Sequence, residues 1–229
     1  MKVQKQKTVK LRVVPADSGF WLEAMLEDRI MKYLWKCIDE AKKMSIDHKT
    51  ALAGNISESY LLPDIDGTFT NDVIQPVVNE YITVNKNEHP HKLCFTPQTG
   101  LADRDKSGLK LSVHDLWVNF QNKHEFNPPH RHDGMYSFVV WMKIPYSYEE
   151  ECKLPFLEGV KQRDLKPGCF EISYTGMLGD IRSSTYHMSP KMEGHMLLFP
   201  AGLTHQVFPF YSSDEQRVTI SGNVWTVYE

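Results

Sequence analysis

The chain has 229 residues, enough to bury a full hydrophobic core, and its 26 basic residues nearly balance 29 acidic ones for a net charge of −3. No global field would draw it to nucleic acid or to an acidic membrane surface, so the expected partner is a protein or a small molecule. No run approaches the roughly 20 apolar residues that cross a bilayer, and the polar start Met-Lys-Val-Gln-Lys-Gln-Lys does not resemble a secretory signal. Cys37, Cys94, Cys152 and Cys169 are scattered without a C-x-x-C pair, which excludes a zinc ribbon and argues against a disulfide framework. A soluble, cytoplasmic protein is expected; the oligomeric state is not legible.

Taken in order, residues 8–14 read as a short strand. After a candidate cap at Ser18, Leu22, Met25, Leu26, Ile30, Tyr33, Leu34, Cys37, Ile38 and Ala41 recur at helical spacing. Glu23, Glu27, Asp28, Lys32, Lys36, Glu40 and Lys43 occupy the opposite face, which predicts a helix lying on a core. A second helix fits 71–84, where Val73, Ile74, Val77, Val78, Tyr81 and Ile82 form pairs one turn apart, with Pro76 in the first turn or bending it. Between the helices, Ala53-Gly54-Asn55 and Pro63-Asp64-Ile65-Asp66-Gly67 are rich in turn formers and predict a loop over a pocket.

From residue 109 the pattern changes to short strands at 109–121, 136–144, 168–174, 195–199, 206–210 and Arg217–Val227, with 146–166 as a surface excursion. Such strands, divided by Gly and Pro turns, predict a mainly β protein with N-terminal helices: a sandwich or jelly roll whose two sheets enclose a ligand-sized interior. One domain is expected, with 1–108 as a helical and loop elaboration and 109–229 as the jelly-roll core. Trp117, Trp141 and Trp225 fall in strands, where large aromatics mostly fill cores.

The chemistry concentrates in Pro128-Pro129-His130-Arg131-His132-Asp133-Gly134. Two histidines two residues apart share one side of an extended strand, and His205, beyond the Phe199-Pro200 break, can close a triangle around one ion from a facing strand. An isolated H-x-H in a loop is more often solvated, but a third histidine between apolar strands, followed by Arg217-Val218-Thr219, favours a metal site. Arg217 reads either as a surface cation at a strand end or as a fork for a carboxylate, with Thr219 on the same face. Asn119 and Asn223 are weaker candidates for polar contacts in the pocket, against an equally good capping or turn role.

These residues resemble the 2-oxoglutarate- and Fe(II)-dependent oxygenases, specifically the prolyl-hydroxylase-like group of H-x-H type with many phage-encoded members. The resemblance rests on Asn127–Gly134 leading into Ser137-Phe138-Val139-Val140-Trp141-Met142-Lys143-Ile144-Pro145, on 194–205, on 217–223, and on Leu52-Ala53-Gly54-Asn55-Ile56. It implies a double-stranded β-helix with a cupin-like core, Fe(II) on His130, His132 and His205, and 2-oxoglutarate held at its distal carboxylate by Arg217 with Thr219. Ascorbate as reductant belongs to the same expectation. So does hydroxylation of a C–H bond, with a prolyl or other protein side chain among the candidate substrates and succinate and CO2 as co-products. In the best-known pattern of the superfamily an Asp stands where this chain has His132, so the neighbouring Asp133 is the alternative third ligand. Two other classes remain open: a cupin-like metal or ligand binding module, and a three-histidine dioxygenase that uses no 2-oxoglutarate. Arg217 with Thr219 discriminates between them and the oxygenase.

Overall fold

A computed structural model of the chain describes residues 9–16, 19–88 and 110–227. Its strands form two antiparallel sheets. The larger sheet contains β1 (Val9–Ala16), β2 (Gly19–Leu26), β3 (Glu58–Leu61), β4 (Lys110–Gln121), β6 (Tyr136–Lys143), β9 (His195–Pro200) and β11 (Arg217–Val227), in the spatial order β1-β2-β9-β6-β11-β4-β3. The smaller contains β5 (Asn127–His130), β7 (Phe170–Thr175), β8 (Ile181–Tyr186) and β10 (Thr204–Val207), in the order β5-β10-β7-β8. This is the expected jelly roll.

The central strands show why both faces of the large sheet are covered. In β6, Tyr136, Phe138, Val140 and Met142 join one apolar cluster while Val139 and Trp141 join another; in β9, Met196 and Leu198 separate in the same way from Leu197 and Phe199. Period-two alternation sends successive side chains to opposite faces, so an unbroken apolar run such as Phe138-Val139-Val140-Trp141-Met142 marks a strand buried on both sides. On one face the cover is helical. Helix α1 (Asp28–Met44) buries Ile30, Leu34, Cys37, Ile38 and Ala41, and α2 (Gln75–Glu88), entered through a π-helical turn at Thr70–Ile74, adds Val77, Val78 and Tyr81. On the other face the small sheet contributes Phe170 and Ile172.

The structure corrects several expected boundaries. Residues 19–26 form a strand, not the start of the first helix: Phe20, Leu22, Ala24 and Leu26 share one face of β2, and Leu22–Met25 pair with β9. Leu22, Met25 and Leu26 match helical spacing as well, and only the partner strand decides between the two periods. Ser18 and Thr8 lie outside the described residues. The presumed loop between the helices contains β3, and a further strand, β8, lies between the expected strands 168–174 and 195–199. Trp117 and Trp141 are buried as expected, whereas Trp225 is 39% exposed. No helix of the described residues is long and apolar enough to cross a membrane.

Strands β4 and β11 carry the inner wall. Arg217 pairs with Gln121, Thr219 with Asn119 and Ser221 with Trp117, after which a bulge shifts the register so that Asn223 meets His114. The extra residue lies on β4, where Asp115 and Leu116 stand opposite the single Gly222 of β11. A Cβ there would stand 2.6 Å from Cζ of the buried Phe138 ring, leaving no room for a methyl group. Gly222→Ala is therefore expected to lower stability by about 1–3 kcal/mol through overpacking, measured as a lower urea midpoint at unchanged slope.

Candidate metal and anion site

One cavity of 370 Å³ opens between the sheets, and its walls bring together most of the residues singled out above. From β11 it receives Arg217, Thr219, Ser221, Asn223 and Trp225, and from β4 Asp115, Trp117, Asn119 and Gln121. Alternate residues of a strand share a face, so two paired strands line the cavity with polar rungs at one end and aromatic rings at the other.

His130 closes β5 and stands opposite His205 of β10 in an antiparallel pair, so these two come from adjacent strands of one sheet. His132 lies beyond the end of β5, in the following turn, where its N–H donates to the Ala201 carbonyl at 2.9 Å. The H-x-H pair thus meets through a turn and not along one strand face. One donor atom from each of the three histidines falls within 4.8 Å of the others. Asp133, next in sequence, lines the cavity but is exposed and is not part of this triad.

The rings are oriented by the backbone. Nδ1 of His130 lies 2.7 Å from the Pro128 carbonyl and Nδ1 of His205 lies 3.0 Å from the Leu203 carbonyl. A carbonyl only accepts, so each Nδ1 carries the proton and each Nε2 keeps its lone pair, the tautomer a metal ligand needs. Burial keeps the rings neutral. It pushes His132 down to about 4, with His130 adding a smaller repulsion, and His205 down to about 3, where desolvation again dominates; His130 is lowered by burial too. Three neutral imidazoles converging on one point suit a divalent transition metal.

At the opposite end sits Arg217, 2% exposed. Its Nη1 donates to the Tyr146 hydroxyl at 2.5 Å and to the Gly168 carbonyl at 3.1 Å, and Nη2 donates to Gln121. All three partners are neutral. Its Nε is buried with no hydrogen-bond partner, and among the described residues no carboxylate forms an ion pair with it. Burying a guanidinium without an anion is costly, so the residues present fit a negatively charged ligand here. Thr219 lines the same wall. Asn119 accepts from Ser59 and Asn223 accepts from Ser137, both at 2.8 Å, so both buried amides are strand residues of the wall and not caps or turns.

The sequence did not point to Tyr146, Gln121 or His48. Tyr146 falls in a charged segment that reads as surface, yet its ring stacks on Phe210 at 4.6 Å and its hydroxyl donates to Gly168 at 2.6 Å. Gln121 was legible only as an inward strand residue two past Asn119. His48 stacks on Trp117 at 4.9 Å on the cavity wall. The loop expected over a pocket does line it, through Ala51, Leu52, Ala53 and Ile56. His114, His124 and His187 pack against aromatic rings, and His195 is not among the cavity residues.

Known proteins share part of this sequence. Residues 115–223, which span every triad and anion-site residue named above, match the family model described as "Putative 2OG-Fe(II) oxygenase". That match takes in 109 of the 229 residues, just under half of the chain. The chain is similar at 11% identity to a crystal structure of a Pseudomonas putida prolyl-4-hydroxylase, covering 91% of this chain and 92% of that one with a TM-score of 0.48. It is also similar at 11% identity to an oxidoreductase of the 2OG-Fe(II) oxygenase family from Burkholderia pseudomallei, with a TM-score of 0.36. That match covers 51% of this chain, which spans just under half (46%) of the Burkholderia chain. No curated protein matches. The matched family description names Fe(II) and 2-oxoglutarate, for which the histidine triad and the unpaired guanidinium are fitting groups.

The depressed histidines set a pH dependence of stability for the metal-free protein. Between about pH 6.5, the unfolded value, and the folded values near 4 and 3, the unfolded chain binds more protons than the folded one. Stability is therefore fully present above about pH 6.5 and falls as pH drops through that window. His205→Gln is expected to flatten the slope of unfolding free energy against pH from 7.5 to 4.5, measured by urea denaturation in the presence of chelator.

Proposed function

We propose that the chain is an Fe(II)- and 2-oxoglutarate-dependent dioxygenase that hydroxylates a C–H bond of its substrate, releasing succinate and CO2. One observation carries the reading: a buried arginine, satisfied only by neutral groups and with Nε free, shares a cavity with three inward histidines. A metal-binding module would have no use for that arginine, and a surface cation would not be 2% exposed. His130, His132 and His205 would hold the ion through Nε2, with Asp133 as the alternative to His132. Arg217 and Thr219 would grip the distal carboxylate of 2-oxoglutarate, leaving its keto-acid end toward the histidines.

When bound, Fe(II) with 2-oxoglutarate and oxygen supplies an oxidant strong enough for an unactivated C–H bond. The remaining work falls to the protein. Tyr146, Gln121 and the Gly168 carbonyl fix the plane of the guanidinium, so its fork is set before the anion arrives. Asn119 and Asn223, each held by a serine, line the path between the two ends. Phe170 and Phe199 pack against His205 at 5.7 and 4.9 Å, keeping water from its rear face. A ligand set without a carboxylate leaves the bound ion more positive, which favours a dianionic cosubstrate. A reducing compartment suits the free thiols of Cys37, Cys152 and Cys169.

Anaerobic addition of Fe(II) and 2-oxoglutarate is expected to give the visible metal-to-ligand charge-transfer band of the chelate. Arg217→Ala should weaken 2-oxoglutarate binding by about 2–5 kcal/mol, roughly 30-fold or more. Absence of the band in the parent would refute the cosubstrate assignment. Succinate formation without added substrate is expected to disappear in His130→Ala and His205→Ala; of His132→Ala and Asp133→Ala, only the first should abolish Fe(II) binding measured by equilibrium dialysis.

A further inference from the structure

The inward side chains of β4 form a series in which a single member is unsatisfied. Gln121 bonds Arg217 and the Glu125 carbonyl, and Asn119 bonds Ser59. Trp117, the next inward residue, is 3% exposed and lines the cavity, yet its indole Nε1–H has no hydrogen-bond partner. Buried polar groups are nearly always paired, so an orphan in a cavity wall points to a missing partner. Four buried side-chain atoms are unpaired among the described residues, and besides the Arg217 Nε, which awaits an anion, Trp117 Nε1 is the only such donor on the cavity wall.

Its position assigns it to a different ligand from the one Arg217 awaits. Trp117 of β4 pairs with Ser221 of β11, two rungs beyond the Arg217–Gln121 pair, and its ring is held between His48 at 4.9 Å and His132 at 5.7 Å. It therefore stands beside the triad on the side away from the guanidinium. Beyond it, Asp115 and the 39% exposed Trp225 continue the wall toward solvent. An indole N–H only donates and a carboxylate only accepts. A group that suits both offers a carbonyl oxygen to one and an N–H to the other, with a flat face for the Trp225 ring; an amide has all three.

We propose that Trp117 is a specificity-determining residue that donates its indole N–H to the carbonyl oxygen of an amide-bearing substrate, a peptide, with Asp115 accepting from the same substrate. This rests on the oxygenase reading for the role of the triad, but the contact itself can be read without turnover. The chain has five tryptophans, so a protein labelled with 15N at the indole nitrogens and loaded with diamagnetic Zn(II) and 2-oxoglutarate gives few resonances. The Trp117 signal is the one absent from Trp117→Phe. Titration with N-acetylalanine methylamide is expected to move that signal downfield and to slow its exchange with deuterium, while acetate does neither. Trp117→Phe, which keeps the ring and loses the donor, should bind the amide about fivefold or more weakly, the worth of one neutral hydrogen bond. A Trp117 signal that responds to 2-oxoglutarate and not to the amide would overturn the proposal by giving this donor to the cosubstrate, and so would unchanged amide affinity in Trp117→Phe. Should Trp117→Phe fail to fold, assigning the signal from single replacements of the other tryptophans leaves the titration of the parent protein decisive. A protein that lacks the charge-transfer band but still shows the amide response would fail as an oxygenase while keeping this contact.

Discussion

The guanidinium of Arg217 is the constraint around which the two sheets are arranged. It is carried by β11 of the large sheet, is braced across the strand pair by Gln121 of β4, and reaches Gly168 at the entry to the small sheet and Tyr146 in the segment between. A charge this deep is tolerated only when its donors are met. The structure meets most of them with neutral oxygens and leaves Nε for a ligand. The arrangement fits an anion, and Arg217 lines the same cavity as the three histidines.

The same economy appears at the triad. The His130–His205 register pair fixes two rings by the sheet itself, and the turn that places His132 is anchored on Ala201, close in sequence to His205. Backbone carbonyls then choose the tautomer, and burial holds the rings neutral far below the usual histidine range. Each of these is a consequence of the strands, not of additional side chains. The histidines are thus fixed by backbone groups, while at the rim Asp115, Asp133, Arg131 and Trp225 are exposed to solvent.

The jelly roll and the ligand candidates were legible because they follow from local rules. Period-two alternation marks β4 and β11, unbroken apolar runs mark β6 and β9, and the H-x-H, the distal histidine and the arginine strand are short motifs with definite chemistry. What was not legible depends on partners distant in sequence. Strand β2 satisfies helical spacing equally well until β9 is beside it, and the short strands β3 and β8 carry too few residues for a period. Tyr146 follows the Lys-Ile-Pro that ends β6 and precedes a charged stretch, so only the fold reveals its ring against Phe210 and its hydroxyl on Arg217. The expectation that tryptophans fill the core failed for Trp225 because β11 runs past the bulge to the cavity mouth.

The central claim is that the anion end and the metal end of the cavity are occupied by one molecule carrying both a distal carboxylate and a keto acid. Calorimetric titration of the Mn(II)-loaded protein with 2-oxoglutarate and, separately, with pyruvate tests it most directly, since pyruvate keeps the chelating keto acid and lacks the carboxylate that Arg217 would hold. Binding of 2-oxoglutarate roughly 30-fold or more tighter than pyruvate is the predicted result. Equal affinity for the two acids would contradict the account.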